Sequence, residues 1–464
     1  MPAQVIIVLG YLIATIILGI IAKKNTKSSS AFHGSGLGIL MCVAAGTGEW
    51  LGGTSTTGVS EYGYEFGISG AWYTLANGIG IIVLALLFAK LYRSLETVTV
   101  PGIIEKYTGL DARMISSLLL TFVMIAVGTS QIVAAGTLGT AIFGMDYVLA
   151  VLIMGTGFII YTLAGGMVAV GYTNIMHLIV MYGGVILAIL LAGSDIGGIK
   201  GLKSQLPKSY FDMTSIGLSK VSSWIIASIL GACTAQAGIQ PILAARDVKV
   251  AKKAAIITAF VVAPFGILTA LLGMTAKVKF PHLANGKLAL PTLLGNMNPL
   301  AGGIIMASIL AAVLSTISPI ILAAGTMITN DIYKRRIKPG ATDKKVLFIS
   351  RLTTAIAGIL CMVIAIVLYD NSRILDIVYF AYTLRGSLFV VLLLGIYWNK
   401  TSEKGAIIAM IMTSSTGLFW VAYKAISGTY PIHPQLNETY ISVFVALATT
   451  VVFSLLFKKH PKET

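Results

Sequence analysis

Charge is scarce in this chain. Only 11% of its 464 residues are Asp, Glu, Lys or Arg, where a soluble domain carries about a quarter. Cysteine is nearly absent: Cys42, Cys233 and Cys361 each fall within an apolar run, with neither metal-ligand spacing nor a disulfide framework. They read as small packing residues. The five histidines, His33, His177, His282, His433 and His460, form no ligand pattern. No paired acids or nucleophile constellation stands out, so an enzyme is not expected. Little chain is left between the apolar runs, which leaves no room for a soluble catalytic domain. Three absences therefore exclude three classes: the soluble enzyme, the disulfide scaffold and the resident-metal protein.

What is present is apolar sequence. Hydrophobic residues make up 56% of the chain, with a mean hydropathy of +0.90. Runs near the ~20 residues needed to cross a bilayer recur throughout. About thirteen cores are expected: Val5–Ala22, Leu37–Gly58, Ala71–Leu91, Met114–Phe143, Val148–Val168, Thr173–Leu191, Ser222–Ile239, Ala255–Thr275, Leu300–Thr329, Val346–Leu368, Ile374–Tyr397, Gly405–Tyr423 and Ile441–Phe457. The fold class is an all-α polytopic membrane protein, one integral membrane domain over residues 1–464. No basic residue precedes Val5, whereas Lys23 and Lys24 follow the first core, so a retained helix is expected rather than a signal peptide.

The formal net charge of +16 does not mark a nucleic-acid binder, because its distribution alternates. Of 33 Lys and Arg, 23 fall in alternate loops, and they include Lys90, Arg93, Arg113, Lys253, Arg335 and Lys459. The opposite loops hold nine, among them Lys220, Lys287, Arg373 and Lys424, and Arg385 lies inside a span. The positive-inside rule then puts the N-terminus outside and the C-terminus in the cytoplasm of a plasma-membrane protein. The expected partners are the bilayer and a small-molecule solute, not nucleic acid, and the sequence leaves the oligomeric state open.

Two segments carry the chemistry. Ala44-Ala45-Gly46-Thr47-Gly48-Glu49-Trp50 is broken by glycine and places an acid inside an apolar run. An intramembrane acid is a functional-site hypothesis by default, and a helix interruption there would free carbonyls for a cation. Ala311 to Ser318 clusters hydroxyls in another apolar run. Positions 312, 315 and 316 are i, i+3 and i+4, one helix face, and hard cations prefer oxygen ligands.

Tyr161-Thr162-Leu163-Ala164-Gly165-Gly166-Met167-Val168-Ala169 resembles the signature of the sodium/solute symporter family, which includes bacterial sodium/proline and sodium/galactose transporters. Ala312 to Thr316, Asn330-Asp331-Ile332-Tyr333-Lys334 and the basic stretch Ala244 to Lys253 also look like that family. The resemblance implies a leucine-transporter fold of two inverted five-helix repeats, at residues 37–194 and 219–397. It implies a sodium site from carbonyls of Ala44, Thr47 and Ala312 with the hydroxyls of Ser315 and Thr316. It further implies a mid-membrane substrate site, with candidates Glu49, Trp50, Thr54, Ser55, Gln131, Gln236, Gln240 and Arg385. The function so implied is sodium-coupled symport of a small polar organic solute, an amino acid or carboxylate, without a cofactor. The alternatives are a proton-coupled symporter or a transporter-like solute sensor. One departure stands out. Where the family commonly has Thr-Asp, this chain has Thr173-Asn174. That puts the ion-release path in question at Asn174, and His177 could titrate nearby.

Overall fold

The computed structural model describes residues 3–23, 36–95, 97, 99–370 and 372–457, and the side chains at 16, 18–23 and 164–172 lie outside the description. Lys24, Lys27, His33, Lys458, Lys459, His460 and Lys462 are thus outside the described residues, as are the side chains of Ala164 to Ala169 in the signature stretch.

The described chain is helical. In order come α1 (Ala3–Lys23), α2 (Ile39–Trp50), α3 (Val59–Phe66), α4 (Trp72–Val83), α5 (Leu110–Phe143) and α6 (Tyr147–Ser194). Then follow α7 (Leu218–Thr234), α8 (Gln236–Ala244), α9 (Val248–Val262), α10 (Phe265–Lys279) and α11 (Pro299–Met327). The chain closes with α12 (Asp343–Leu368), α13 (Ile374–Leu384), α14 (Gly386–Tyr397), α15 (Glu403–Ser427) and α16 (Glu438–Leu456). Polar caps mark several starts. Asp247 accepts from Val250 N–H at 2.8 Å, Asn298 from Leu300 N–H at 3.0 Å and Ser402 from Gly405 N–H at 3.1 Å. Each satisfies a donor that the first helical turn leaves orphaned.

Among the described residues, nine stretches are long and apolar enough to cross a membrane, or ten with the bent pair α7–α8; shorter apolar helices stand at Ala3–Thr15, Ile39–Trp50 and Tyr147–Leu163. The thirteen expected cores do not map one to one onto uninterrupted crossings, for two reasons. Some junctions vanish. Val148–Val168 and Thr173–Leu191 join in α6, a run of 48 residues. That is ~72 Å at 1.5 Å per residue, beyond a single crossing of a ~30 Å core. Gly165-Gly166 does not end the helix, since glycine there costs only about 0.5–1 kcal/mol each. Conversely, some spans are interrupted midway, at Leu51–Gly53, Ala235 and Arg385.

Burial ranks the helices. The apolar window within Pro299–Ile337 is 94% buried, against 33% for Asp343–Leu368 and Glu438–Leu456. The hydroxyl-bearing α11 is therefore central, and the helices near the C-terminus are peripheral. The start of α2 is tied to the end of α8 by Leu37 N–H to Ala244 O at 2.9 Å and Arg246 N–H to Leu37 O at 3.0 Å.

Candidate functional site

The first interruption lies in the second span. Helix α2 runs regularly to Trp50, and Leu51 N–H still reaches Thr47 O at 2.9 Å. Leu51 then leaves helical geometry (φ −108°, ψ 77°). After Gly52 and Gly53 the chain resumes as a π-helical turn over Thr54–Gly58, then α3. The glycines are required by close approach. A Cβ on Gly52 would sit 2.4 Å from Thr316 Oγ1 and 2.5 Å from Gln131 Oε1. Side chains supply the bonds that the backbone loses here. Gly53 N–H donates to Gln131 Oε1 at 2.7 Å, Gln131 Nε2 donates to Thr54 Oγ1, and Thr54 and Ser130 hydroxyls pair at 3.1 Å. Ser55 and Thr56 hydroxyls donate to Gly52 O at 2.9 and 3.0 Å.

Across from this break stands the middle of α11. Thr316 Oγ1 donates to Gly48 O, and Ser315 Oγ reaches both Gly48 O at 3.4 Å and Ala312 O at 2.8 Å. Ser315 and Thr316 are buried, as is Thr47, whose hydroxyl has no hydrogen-bond partner. The chain thus gathers two hydroxyls and the carbonyls of Gly48 and Ala312 in one buried spot. The Gly48 carbonyl follows directly on Thr47 and stands one turn after Ala44, the two carbonyls expected from the sequence. Ala44 sits inside regular helix and the Thr47 carbonyl holds the Leu51 amide. Gly48 is the residue that sequence reasoning missed. Its signal was the lack of a side chain: a Cβ there would lie 2.3 Å from Asn174 Nδ2 and 3.2 Å from Ser315 O.

Asn174 itself closes one side of the spot. Its Nδ2 reaches Ser315 O at 3.5 Å, and its Oδ1 is buried with no partner. His177, one turn on, is buried and bound through Nδ1 to the Tyr11 hydroxyl of α1.

The second interruption is at Ala235 (φ −69°, ψ 108°), where α7 and α8 meet at 45°. Gln236 Oε1 accepts from Val100 N–H at 2.7 Å, anchoring α8 to the short helix Val100–Tyr107. A Cβ on Gly238 would lie 3.0 Å from Trp50 Cζ2, so the indole packs against α8 and is buried, not lipid-facing. A third interruption sets Arg385 between α13 and α14. Its Nη1 donates to Gly231 O at 3.3 Å and its guanidinium lies over the Tyr382 ring, 4.7 Å from the centroid. Its Nε has no partner. No ion pair joins Arg385 to Glu49, whose Oε2 is also buried and unpartnered, though each lies in the other's electrostatic reach.

An aromatic column leads from Arg385 to one end of the bundle. Tyr382 meets Tyr379 (5.7 Å between centroids), Tyr379 stacks on Trp224 (4.4 Å, 10°), and Trp224 meets Tyr62 (5.2 Å). The spacing of Tyr379, Tyr382 and Arg385 by threes could have shown this face in the sequence. At the column's end, Tyr62 donates to Asp376 Oδ1 at 2.6 Å, Lys220 Nζ to the Tyr62 hydroxyl at 2.8 Å, and Arg373 to Glu65 at 2.7 Å. Two adjoining cavities of about 530 and 620 Å³ open there, both lined by Arg373, Asp376 and Lys424. Burial in this niche draws the Lys287 ammonium below the ordinary lysine value, with Glu61, Asp370 and Glu65 acting the other way.

The opposite end is latched. Arg113 pairs with Glu105 and with Asp331, Arg335 pairs with Glu105, and Thr99 donates to Asp331 at 2.8 Å. Desolvation pushes the Glu105 carboxyl up, but the Arg113 and Arg335 guanidiniums outweigh it and hold it below its ordinary value.

Comparison with known proteins agrees over nearly the whole chain. The sequence model of the sodium:solute symporter family matches residues 32–413. The osmoregulated proline transporter of Bacillus subtilis (strain 168) is 26% identical, covering 100% of this chain and 97% of that one. The high-affinity proline transporter of the same organism is 25% identical, covering 92% and 94%. Among solved structures, the substrate-bound outward-open state of a Na+-coupled sialic acid symporter superposes with a TM-score of 0.82, at 20% identity, over 99% of both chains.

Proposed function

This chain belongs to the sodium:solute symporter family, and from that premise we propose that it is a sodium-coupled importer of a small polar organic solute, an amino acid or carboxylate, working by alternating access. Its fold is leucine-transporter-like and its relatives are transporters, not enzymes. The observation that carries the reading is the convergence of the Gly48 carbonyl with the Ser315 and Thr316 hydroxyls across a broken span. Sodium enters as co-substrate and takes the place of the hydrogen bonds among these oxygens, the two hydroxyls keeping their protons and turning lone pairs toward the ion. Ser315 Oγ, Thr316 Oγ1 and the carbonyls of Gly48 and Ala312 turn toward it, with Thr47 beside them. The Ala44 carbonyl, one turn before Gly48 on α2, completes the proposed set with Thr47.

The inverted repeats fall at residues 37–194 and 219–397, so that the breaks at Leu51–Gly53 and Ala235 occupy corresponding first helices. The charge alternation supports the cavity-bearing end as extracellular and the Arg113–Asp331 latch as cytoplasmic, with the N-terminus outside. Cavities open on the outer side beside the Lys220–Asp376 and Arg373–Glu65 pairs, and ion pairs around Glu105 and Asp331 gather the inner side. A ligand drives the transition only by binding the two states unequally. Sodium does so by drawing α2 and α11 together at Gly48.

The test is uptake by proteoliposomes carrying an imposed sodium gradient. The double variant Ser315→Ala, Thr316→Ala should insert normally and lose sodium-driven accumulation. Unchanged sodium dependence in that variant removes the site.

A further inference from the structure

The nine basic residues of the loops at the cavity-bearing end split into two groups. Lys220, Lys287, Arg373 and Lys424 line the two charged cavities, where acids answer them. The other five, Lys200, Lys203, Lys208, Lys277 and Lys279, fall in the stretch that follows α6 and in the last turn of α10. Lys279 pairs with Asp195 at 2.5 Å. Lys277 Nζ donates to Pro281 O at 3.1 Å and lies over the Tyr64 ring. Among the described residues Lys200 and Lys203 have no such partner, and both are exposed. Tyr210, in the same stretch, donates to Tyr64 O at 3.1 Å, which fixes this corner to the outer end of α3.

Glycine shapes the corner. Helix α6 ends at Ser194, and Gly197 and Gly198 take left-handed conformations (φ 80° and 64°) that turn the chain back. A Cβ on Gly201 would stand 1.5 Å from Ile196 O, so the turn closes directly onto the next helix, Gly198–Gln205. That short helix packs on α6 and α10 and is amphipathic. Leu202 is buried, while Lys200 and Lys203, three apart, are neighbours on its exposed side. A cavity of about 320 Å³ lies here, lined by Ile189, Leu190 and Gly193 of α6, Ile199 and Leu202 of the short helix, and Leu271 of α10. Leu190 and Ile199 are exposed, and a Cβ on Gly193 would meet nothing within 4 Å, so the cavity is an open groove. Its walls are apolar, and Lys200 and Lys203 each follow a wall residue directly.

We propose that this groove holds an anionic phospholipid of the leaflet at the cavity-bearing end, one acyl chain along Leu190, Gly193 and Leu271 and its phosphate between Lys200 and Lys203. Attachment of an amphipathic interfacial helix to lipid grows with buried apolar area and with attraction to anionic headgroups, and the groove offers both. Clustered lysines at a membrane surface recognise such headgroups. A zwitterionic lipid would fill the groove but bring its own cation to the two ammoniums. Free phosphate would answer the ammoniums and leave the apolar walls uncovered. The site bears on transport through α10. Leu271 faces the groove, while Ala270 and Gly273 pack on α3, the half-helix beyond the first break. A Cβ on Gly63 would lie 2.4 Å from Ala270 O, and one on Gly273 2.2 Å from Ser60 O. A lipid seated behind α10 therefore buttresses the helix on which α3 rests. The inference concerns lipid, not solute, and stands whether or not the symporter reading does.

The experiment uses the full chain, purified in nanodiscs of phosphatidylcholine with or without phosphatidylglycerol, in sodium-free buffer. Native mass spectrometry counts the lipids each chain retains, and thermal melting reads stabilisation. Wild type should retain one phosphatidylglycerol, bind it about tenfold more tightly than phosphatidylcholine, and melt several degrees higher in its presence. The double variant Lys200→Gln, Lys203→Gln should lose that tenfold margin. Gly193→Phe, which puts a ring in the groove, should weaken retention of both lipids. Gly157→Phe, at another open position of α6, should not. Monodisperse elution of each variant shows that it is folded, and the lysine variant, on an exposed helix face, keeps the test valid if Gly193→Phe fails to fold. The proposal is overturned if phosphatidylcholine is retained as well as phosphatidylglycerol, if the lysine variant keeps the wild-type margin, or if folded Gly193→Phe binds as wild type does. It also falls if glycerol phosphate, a headgroup without chains, competes as well as intact lipid, since the corner would then be a phosphate site.

Discussion

The two broken spans use one device for opposite ends. At Leu51–Gly53 the helix opens through glycines, and the space beside Gly48 O is filled by the hydroxyls of Ser315 and Thr316. At Ala235 the helix opens through an extended residue, and the nearby carbonyl, Gly231 O, already accepts from Ala235 N–H at 2.7 Å and from the Arg385 guanidinium at 3.3 Å. Both breaks expose backbone oxygen at membrane depth, which is tolerated only where protein or a cavity receives it. The first break offers neutral oxygens and can take a cation. The second carries a resident cation and cannot. A break in a span is thus not in itself an ion site. What stands opposite decides.

The largest effect should come from closing the first break. Gly52→Ala places a methyl 2.4 Å from Thr316 Oγ1 and 2.6 Å from its Cβ. Overpacking of this kind costs typically ~1–3 kcal/mol, and here the displaced atoms are the proposed sodium ligands. Sodium-dependent uptake should vanish while the protein remains in the membrane. Gly157→Ala, with nothing within 4 Å of the new carbon, should leave uptake unchanged. Normal uptake by Gly52→Ala would mean that the break is not where sodium binds.

The two clamps give a paired test of intermediate size. Gln131→Ala orphans the buried Gly53 amide, and Gln236→Ala removes the acceptor of the Val100 amide. An unsatisfied buried donor costs about 1–3 kcal/mol, so both should lower the thermal midpoint measurably. Only Gln131→Ala should also raise the sodium concentration for half-maximal uptake, by about tenfold. Equal effects on sodium affinity would erase the distinction between the breaks.

Asn174→Asp probes the wall of the first break. Its amide now faces Ser315 O. A carboxylate there lacks the N–H and would repel that carbonyl unless a cation lay between. Sodium efflux and turnover should change severalfold, with sodium dependence retained. Efflux and turnover identical to wild type would make Asn174 a packing residue only.

The smallest effect concerns the strut behind the second break. Gln236 is tied to the helix Val100–Tyr107, and Glu105 in that helix is held by Arg113 and Arg335. With its folded value depressed, Glu105 contributes stability that is fully present above the unfolded carboxyl value of about 4.3. That contribution is lost as pH falls through the folded value. Glu105 is partly buried and its partner Arg335 is exposed, so screening limits the contribution to about 1 kcal/mol or less. Glu105→Gln should therefore lower the melting temperature slightly near pH 7 and converge with wild type near pH 3. A difference that grows on acidification would contradict the assignment.

Parts of this arrangement are legible in the chain. Hydropathy announces a polytopic helical protein, and the spacing of Ala312, Ser315 and Thr316 puts three oxygens on one helix face. The glycine-rich run around Glu49 announces an interruption. The run contains four glycines within eight residues, Gly46, Gly48, Gly52 and Gly53, and local propensity does not choose among them. The choice falls to Gln131 and Thr316, which come from α5 and α11 and can only approach where no Cβ stands. The fate of Gln131 was equally hidden. A buried amide reads as a ligand contact until the neighbouring break shows which donor and acceptor it must satisfy.

The sequence by itself determined the solvent of this protein, the alternation of its loop charges and the identity of the oxygen-bearing face, because each depends on residues near one another in the chain. Tertiary structure alone decided that Gly48 offers the carbonyl, that Asn174 lies against it, and that Arg385 meets Gly231 O and the Tyr382 ring. Gly48 and Thr316 stand 268 residues apart and Asn174 and Ser315 141, and such relations are fixed by which helices pack together rather than by any local pattern.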